Sequence, residues 1–288
     1  TYVCKSCGGE IVGDANMAAT SCPFCDNPIV MMGQFAGALK PDLVIPFKLD
    51  KKAAKEGLKK HLTGKRLLPK IFKDQNHIDE IKGVYVPFWL FDCNADGTVH
   101  FNATRVSTWR SGDYRYTKTS HFLVIRGGHM AFEKIPVDAS EKMDDSYMDS
   151  LEPFDYRELT EFGTAYLSGF LADRFDVSAK DSAPRASRRV KQSLEDGLRS
   201  TVHGYASVTT RSTDIHTSDS QVKYAMLPVY ILNTKYKGKP YFFAMNGQTG
   251  KFVGKLPISW GRFFAWAGGI AAAAVALGQL FLLIGGMF

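Results

Sequence analysis

Apolar residues recur along the chain with three different rhythms, and each predicts a different element. Ala54, Leu58 and Leu62 stand at i, i+4 and i+8, so residues 51–63 read as a helix with Asp50 as N-cap and Gly64 as its end. Residues 84–91 (Val-Tyr-Val-Pro-Phe-Trp-Leu-Phe) form an unbroken apolar run, read as a buried strand. Val99, Phe101 and Ala103 alternate with polar neighbours as a second strand, and Asn94-Ala-Asp-Gly97 supplies turn chemistry between the two. Further strands are expected near 114–118, 121–126 and 130–135, and helices near 160–173 and 183–200. Residues 222–256 read as three strands with turns at Lys237-Gly238 and Asn246-Gly247. The third rhythm is no rhythm at all. Residues 263–288 hold no charge and one clearly polar side chain, Gln279.

That last run is 26 residues long. At ~1.5 Å per residue a helix of that length spans ~39 Å, enough to cross the ~30 Å hydrocarbon core of a bilayer. Trp260 and Trp266 stand near its entry, and Lys251, Lys255 and Arg262 precede it with no charge after it. The positive-inside rule then puts the soluble part in the cytoplasm. Gly269 with Ala273, and Ala274 with Gly278, are small-xxx-small pairs suited to close helix packing. A buried core helix is the alternative.

A weak internal repeat joins two of the strand regions. Tyr85-Val-Pro-Phe-Trp-Leu-Phe resembles Met226-Leu-Pro-Val-Tyr-Ile-Leu, and Pro87, Gly97 and Phe101 match Pro228, Gly238 and Phe242 at one offset. Two related hairpins would explain this, with both prolines at strand starts or edges because proline cannot donate to a ladder.

Composition supports a folded protein. Of 288 residues, 45% are hydrophobic and 23% charged, which excludes a disordered tail, a collagen or a coiled coil. The mean hydropathy of −0.15 averages a charged body with the apolar tail. The fold class expected is α+β: an N-terminal zinc ribbon (1–33) whose two pairs of cysteines, Cys4/Cys7 and Cys22/Cys25, have the spacing of such a module, a mainly antiparallel β body with a few helices and related hairpins (34–257), and a C-terminal transmembrane helix (258–288).

The chemistry lies in the cysteines. Cys4, Cys7, Cys22 and Cys25 form two C-x-x-C pairs, and Cys93 stands alone. Each pair can fold into a knuckle that aims both sulfurs at one ion, with Gly8 supplying the positive φ. Zn²⁺ favours such a closed, structural Cys₄ set. Iron uses similar knuckles. Four thiolates and one divalent ion sum to −2, which takes the formal +7 to about +5. Cys93 reads as a small buried hydrophobe rather than a nucleophile.

Charge is unevenly spread. Residues 51–73 carry nine Lys or Arg against Glu56 alone. Lys51, Lys52, Lys55, Lys59 and Lys60 are candidates for contact with anionic headgroups or an acidic partner, each charge adding about 1 kcal/mol at a membrane. A solvated helix face is the plain alternative, and it is also the reading for Arg185, Arg188, Arg189 and Lys191. Residues 138–161 hold nine Asp or Glu against Lys142 and Arg157, and read as a solvated connector, with cation binding as the alternative. The chain lacks G-x-G-x-x-G, P-loop, H-E-x-x-H and G-x-S-x-G motifs, and its seven histidines, His77 among them, are scattered, so no enzyme is expected. Nucleic-acid binding is an alternative that the ribbon disfavours, since Lys5 is its only basic residue against Glu10, Asp14 and Asp26.

Several stretches together resemble a bacterial family of TFIIB-type zinc-ribbon membrane proteins, often mislabelled as the primosomal helicase. They are the four cysteines, Ile45-Pro-Phe-Lys-Leu-Asp50, Gly83 to Asp92, Ile135 to Ser140, Met148 to Asp155, Tyr166 to Asp176 and Asn246 to Lys251. The family is similar to a Gram-positive membrane protein that recruits a phage-shock-type coat protein to stressed membranes. The resemblance implies an adaptor or scaffold at the bilayer, with a phage-shock-type or flotillin-like protein partner. It implies no catalytic residue, and it implies further zinc-binding sequence upstream of Thr1.

Overall fold

A computed structural model of the chain describes residues 2–35, 37–69, 72 and 80–285. Lys70, Lys73 and His77, and the tail beyond 285, lie outside the described residues. The architecture is mixed α+β with a large, mainly antiparallel sheet. The chain divides into two units built from interleaved stretches. One is Thr1–Pro46, Tyr85–Asp149 and Tyr156–Leu227, and the other is Phe47–Val84, Ser150–Asp155 and Pro228–Phe288. The expected body 34–257 thus contributes to both.

In the first unit the cysteine module comes first. Strand β1 (Tyr2–Val3) pairs with β2 (Glu10–Ile11), and β3 (Met17–Ser21) pairs with β4 (Pro28–Val30), both antiparallel. A short β5 (Leu43–Val44) follows. The dominant element is a long hairpin. β6 (Lys82–Ser111) and β7 (Tyr114–Asp138) pair from Phe88↔Asp138 to Ser111↔Tyr114 with one bulge at Phe91/Cys93. Gly112, at φ +59°, opens the two-residue turn between them.

The turn expected at Asn94–Gly97 does not exist, and β6 runs straight through it. Gly97 marks a close approach instead. A Cβ there would lie 2.3 Å from the Asp214 carbonyl oxygen and 2.7 Å from Ile215 Cα, in strand β10 (Ser207–Tyr236). The three short strands expected between 114 and 135 are one strand for the same reason: period-two alternation shows pairing, not where a ladder stops.

The 160–173 stretch is not a helix. It holds β8 (Thr160–Glu161), a 3₁₀ turn at Thr164–Leu167, and β9 (Leu171–Asp173). Gly169 takes φ +84°, and Ala172 pairs with Ala19 of β3. β8 pairs with β5, which also runs parallel to β10 (Ser207–Tyr236) at Ala225 and Met226.

With α1 (Lys51–Leu62) and α2 (Asp145–Ser150) before it, the third helix α3 (Ala179–Ser200) starts ahead of its expected position. Ser178 caps it, accepting from the Asp181 amide at 3.2 Å. Its buried residues Ala186, Val190, Leu194 and Leu198 repeat every four positions, and the last three join Ala95, Val99, Phe101, Ala103, Val124 and Ile215 in one apolar core. Arg185 and Arg189 on α3 are not a solvated face. Arg185 reaches Asp138 (2.6 Å), Asp145 (2.9 Å) and Asp149 (2.6 Å), so part of the acidic connector is an ion-pair network.

In the second unit, Asp50 caps α1 as expected, accepting from the Ala53 amide at 2.7 Å. Ala54, Leu58 and Leu62 pack with Ile81, Tyr230, Leu232, Phe243 and Met245. The end of β10 pairs with β11 (Lys239–Asn246) around Lys237-Gly238, and β11 pairs with β12 (Phe252–Gly254). Asn246 is fully buried. Its Nδ2 donates to the Leu151 and Pro153 carbonyls (3.1 and 3.3 Å), and its Oδ1 accepts from the amides of Gln248 and Thr249 (both 2.9 Å). The repeat survives in part. Pro87 accepts from Ala139 N (2.9 Å) and Pro228 from Gly247 N (2.8 Å), each where its antiparallel ladder begins, although both lie inside longer strands. Gly97 and Gly238, one in mid-strand and one in a turn, do not correspond.

The last helix, α4 (Trp260–Gly285), leaves the second unit under restraint. Ser259 N–H donates to Leu67 O (2.8 Å), Arg262 donates to Leu68 O (2.6 Å), and the Arg66 guanidinium lies 4.7 Å from the Trp266 ring centre.

Two substitutions test these packing arguments. Gly97→Val should destabilise by about 2 kcal/mol, since its Cβ meets backbone that cannot yield; thermal unfolding in detergent reads this. Burial raises Asp138 to about 6, with Arg185 pulling the other way. Arg185→Met removes that pull, so the folded-state pKa rises further. A carboxyl raised on folding stabilises most below its unfolded pKa, and that contribution is lost as pH rises through the folded value. The variant should therefore lie closest to the parent near pH 5, where it lacks only the exposed pairs to Asp145 and Asp149, and fall behind by about a further 2 kcal/mol at pH 8.

Candidate metal centre

Two turns of the same design build the site. In the first, Gly8 N donates to Cys4 O (2.8 Å) and Cys4 N to Gly9 O (2.9 Å). In the second, Asp26 N donates to Cys22 O (2.9 Å) and Cys22 N to Asn27 O (2.9 Å). The residue after each second cysteine is left-handed: Gly8 at φ +73° and Asp26 at φ +56°. Asp is one of the few side chains that tolerate this region. Gly9 has a different task, because a Cβ there would lie 2.4 Å from the Phe24 ring.

The four sulfurs lie within 4.8 Å of one another. Cys4 to Cys25 is 3.8 Å and Cys7 to Cys22 is 3.6 Å, far beyond disulfide bonding. Sulfurs held at about 2.3 Å around a tetrahedral ion stand about 3.8 Å apart, so these two edges of the cluster are close to the length such an ion requires. Cys4 and Cys22 are buried with Ile11 and Ile29, while Cys7 and Cys25 are exposed. The amides of Cys7 and Ser6 lower Cys4 to about 7. The Gly9 amide acts likewise on Cys7, but the sulfurs of Cys25, Cys22 and Cys4 outweigh it and raise Cys7 to about 12. Four sulfurs this close cannot all ionise alone, and a cation among them removes the conflict.

The other residues singled out by sequence fall elsewhere. Cys93 is half-buried with its thiol raised by burial, away from the four ligands. Lys51, Lys52, Lys59 and Lys60 are exposed on α1 and Lys55 is half-buried. They share the second unit with α4, whose segment Trp260–Gln279 is long and apolar enough to cross a membrane and contains no buried residue. Sequence reading passed over Phe24, which is 69% exposed between Cys22 and Cys25. The available signal was an aromatic at the tip of a C-x-x-C turn.

No family model matches the chain, and no solved structure matches it. A Bacillus subtilis (strain 168) protein named "Uncharacterized protein YdjG" is 41% identical over 260 residues, covering 90% of this chain and 76% of its own. The chain belongs to the YdjG family. Within this YdjG-family chain the cysteine cluster, the α+β body and the apolar helix are the features to explain.

Cys22→Ser should release the bound metal, taking content by mass spectrometry from one ion per chain to none, while Cys93→Ser keeps it. Metal should also be lost on acidification, because protons compete for the thiolates.

Proposed function

We propose that the protein is a membrane-anchored cytoplasmic adaptor, carrying a zinc ribbon, that recruits partner proteins to the bilayer in membrane stress. The observation that carries this is an apolar helix with no buried residue among those described, held only near its start by residues 66–68, joined in one chain to a closed four-thiolate site. Such a metal site leaves no coordination position for substrate, so the ion's work is to hold a surface. Zinc fits that structural role, and visible absorbance would mark iron instead. Lys251, Lys255 and Arg262 on the near side of the helix favour the cytoplasm for the soluble part.

Anchoring raises partner concentration by confining encounters to two dimensions. The module's exposed surface suits protein more than nucleic acid. It offers Phe24, Val12 and Val3, with Lys5 its sole base. A coat-forming or flotillin-like membrane protein fits this reading, and the basic side of α1 adds contact with anionic headgroups or an acidic partner through Lys51, Lys52, Lys55, Lys59 and Lys60.

Affinity purification of the full chain from detergent-solubilised membranes tests the proposal. The expected result is recovery of a membrane-associated protein, retained in Cys93→Ser and lost in Phe24→Asp although the latter still binds metal and membrane. Recovery of no partner, or undiminished recovery after removal of residues 263–288, would overturn it.

A further inference from the structure

We propose that the tip of the β6–β7 hairpin, residues 105–119, docks on an anionic bilayer surface. All fifteen residues are exposed, on both faces of the hairpin. The core under α3 ends at Ala103 and Val124, so beyond Arg105 this length of paired strand buries none of the described residues. Two exposed faces at such length are unusual, since a ladder is normally kept by the side chains it buries.

What the tip carries is chemically specific. It holds Arg105, Arg110, Arg115 and Lys118 against Asp113 alone, with Trp109, Tyr114 and Tyr116. Arg105 is engaged, lying 5.5 Å from the Phe122 ring centre and 5.4 Å from that of Tyr205. The side chains of Arg110, Arg115 and Lys118 have no ion-pair partner among the described residues. Arg110 and Arg115 stand directly opposite in the register. Like charges facing across a ladder repel, and an anion between them removes the penalty.

Alternation puts the aromatics on the other face. Trp109 pairs with Tyr116, their rings 5.6 Å apart and nearly parallel at 14°, and Tyr114 and Lys118 share that face through Ser111 and Ser107. Trp109 is 49% exposed and Tyr114 72%. Indole and phenol rings beside cations are the side chains that settle at headgroup depth in anionic membranes. The remainder is Ser, Thr, Gly and Val106, too polar for the apolar centre of a protein interface. The main aromatic pair is closed on itself, which leaves no open slot for a nucleic-acid base. A bilayer is in any case the neighbour that α4 requires.

The inference rests on the reading of α4 as a membrane anchor, and one experiment separates the two. The full chain is placed in nanodiscs of phosphatidylcholine alone or mixed with phosphatidylglycerol. Hydrogen exchange is followed across residues 104–120. The expected result is exchange slowed roughly tenfold in anionic discs only, reversed by about 0.5 M salt and absent in Arg110→Glu/Arg115→Glu. Unchanged exchange across α3 shows that this variant is folded. Equal exchange in both lipids, protection given by single-stranded DNA in neutral discs, or protection that requires two chains per disc would each overturn the proposal. A chain that never enters the discs would overturn the anchor and this inference together.

Discussion

The ladder between β6 and β7 is the constraint on which the first unit depends. Its register runs unbroken, apart from one bulge, from Phe88↔Asp138 to Ser111↔Tyr114. A slip of one residue would turn Ala95, Val99, Phe101 and Ala103 away from α3 and present Asn94, Thr98, His100 and Asn102 to Val190 and Leu194. The same register decides where Asp138 ends, beneath Arg185, and how the aromatic and guanidinium faces of the tip are separated.

Charge in this protein is organised by distance in space more than by runs in sequence. The acidic stretch 138–161 supplies Asp138, Asp145 and Asp149 to one arginine on α3. In the second unit, Ser150–Asp155 is held mainly by side-chain amides: Asn246 donates to two of its carbonyls, Gln248 accepts from Asp155 N (2.8 Å) while donating to Asp155 O (3.0 Å), and Lys251 Nζ donates to Glu152 O. On α1 the inner side, Ala54, Leu58 and Leu62, packs into an apolar cluster, while Lys51, Lys52, Lys59 and Lys60 lie exposed.

What was legible in the chain was local. The spacing of the four cysteines, Asp50 before α1, the Lys237-Gly238 turn and the apolar tail each depend on residues a few positions apart, and each appears where expected. The failures are all long-range. Gly97 looks like a turn until Asp214 and Ile215 are brought against it from more than a hundred positions away. Residues 160–173 carry a helical pattern, but Gly169 and pairing with β3 override it. Arg185 could not be matched to Asp138 by spacing, since the pair meets only when α3 folds onto β7. Phe24 and the hairpin tip were passed over because exposed aromatics have no periodicity to betray them.

The restraint at the base of α4 has a mechanical consequence. Ser259, Arg262 and Trp266 are all tied to residues 66–68, so the helix leaves its unit as a rigid stem and not as a slack leash. A change in bilayer thickness alters the tilt of a spanning helix. If α4 spans a bilayer as proposed, a change in its tilt acts through these three contacts on residues 66–68, the segment that follows α1 and seats Leu68 in the apolar core of the second unit. Membrane deformation would thereby reach the folded body as strain, with no soluble messenger.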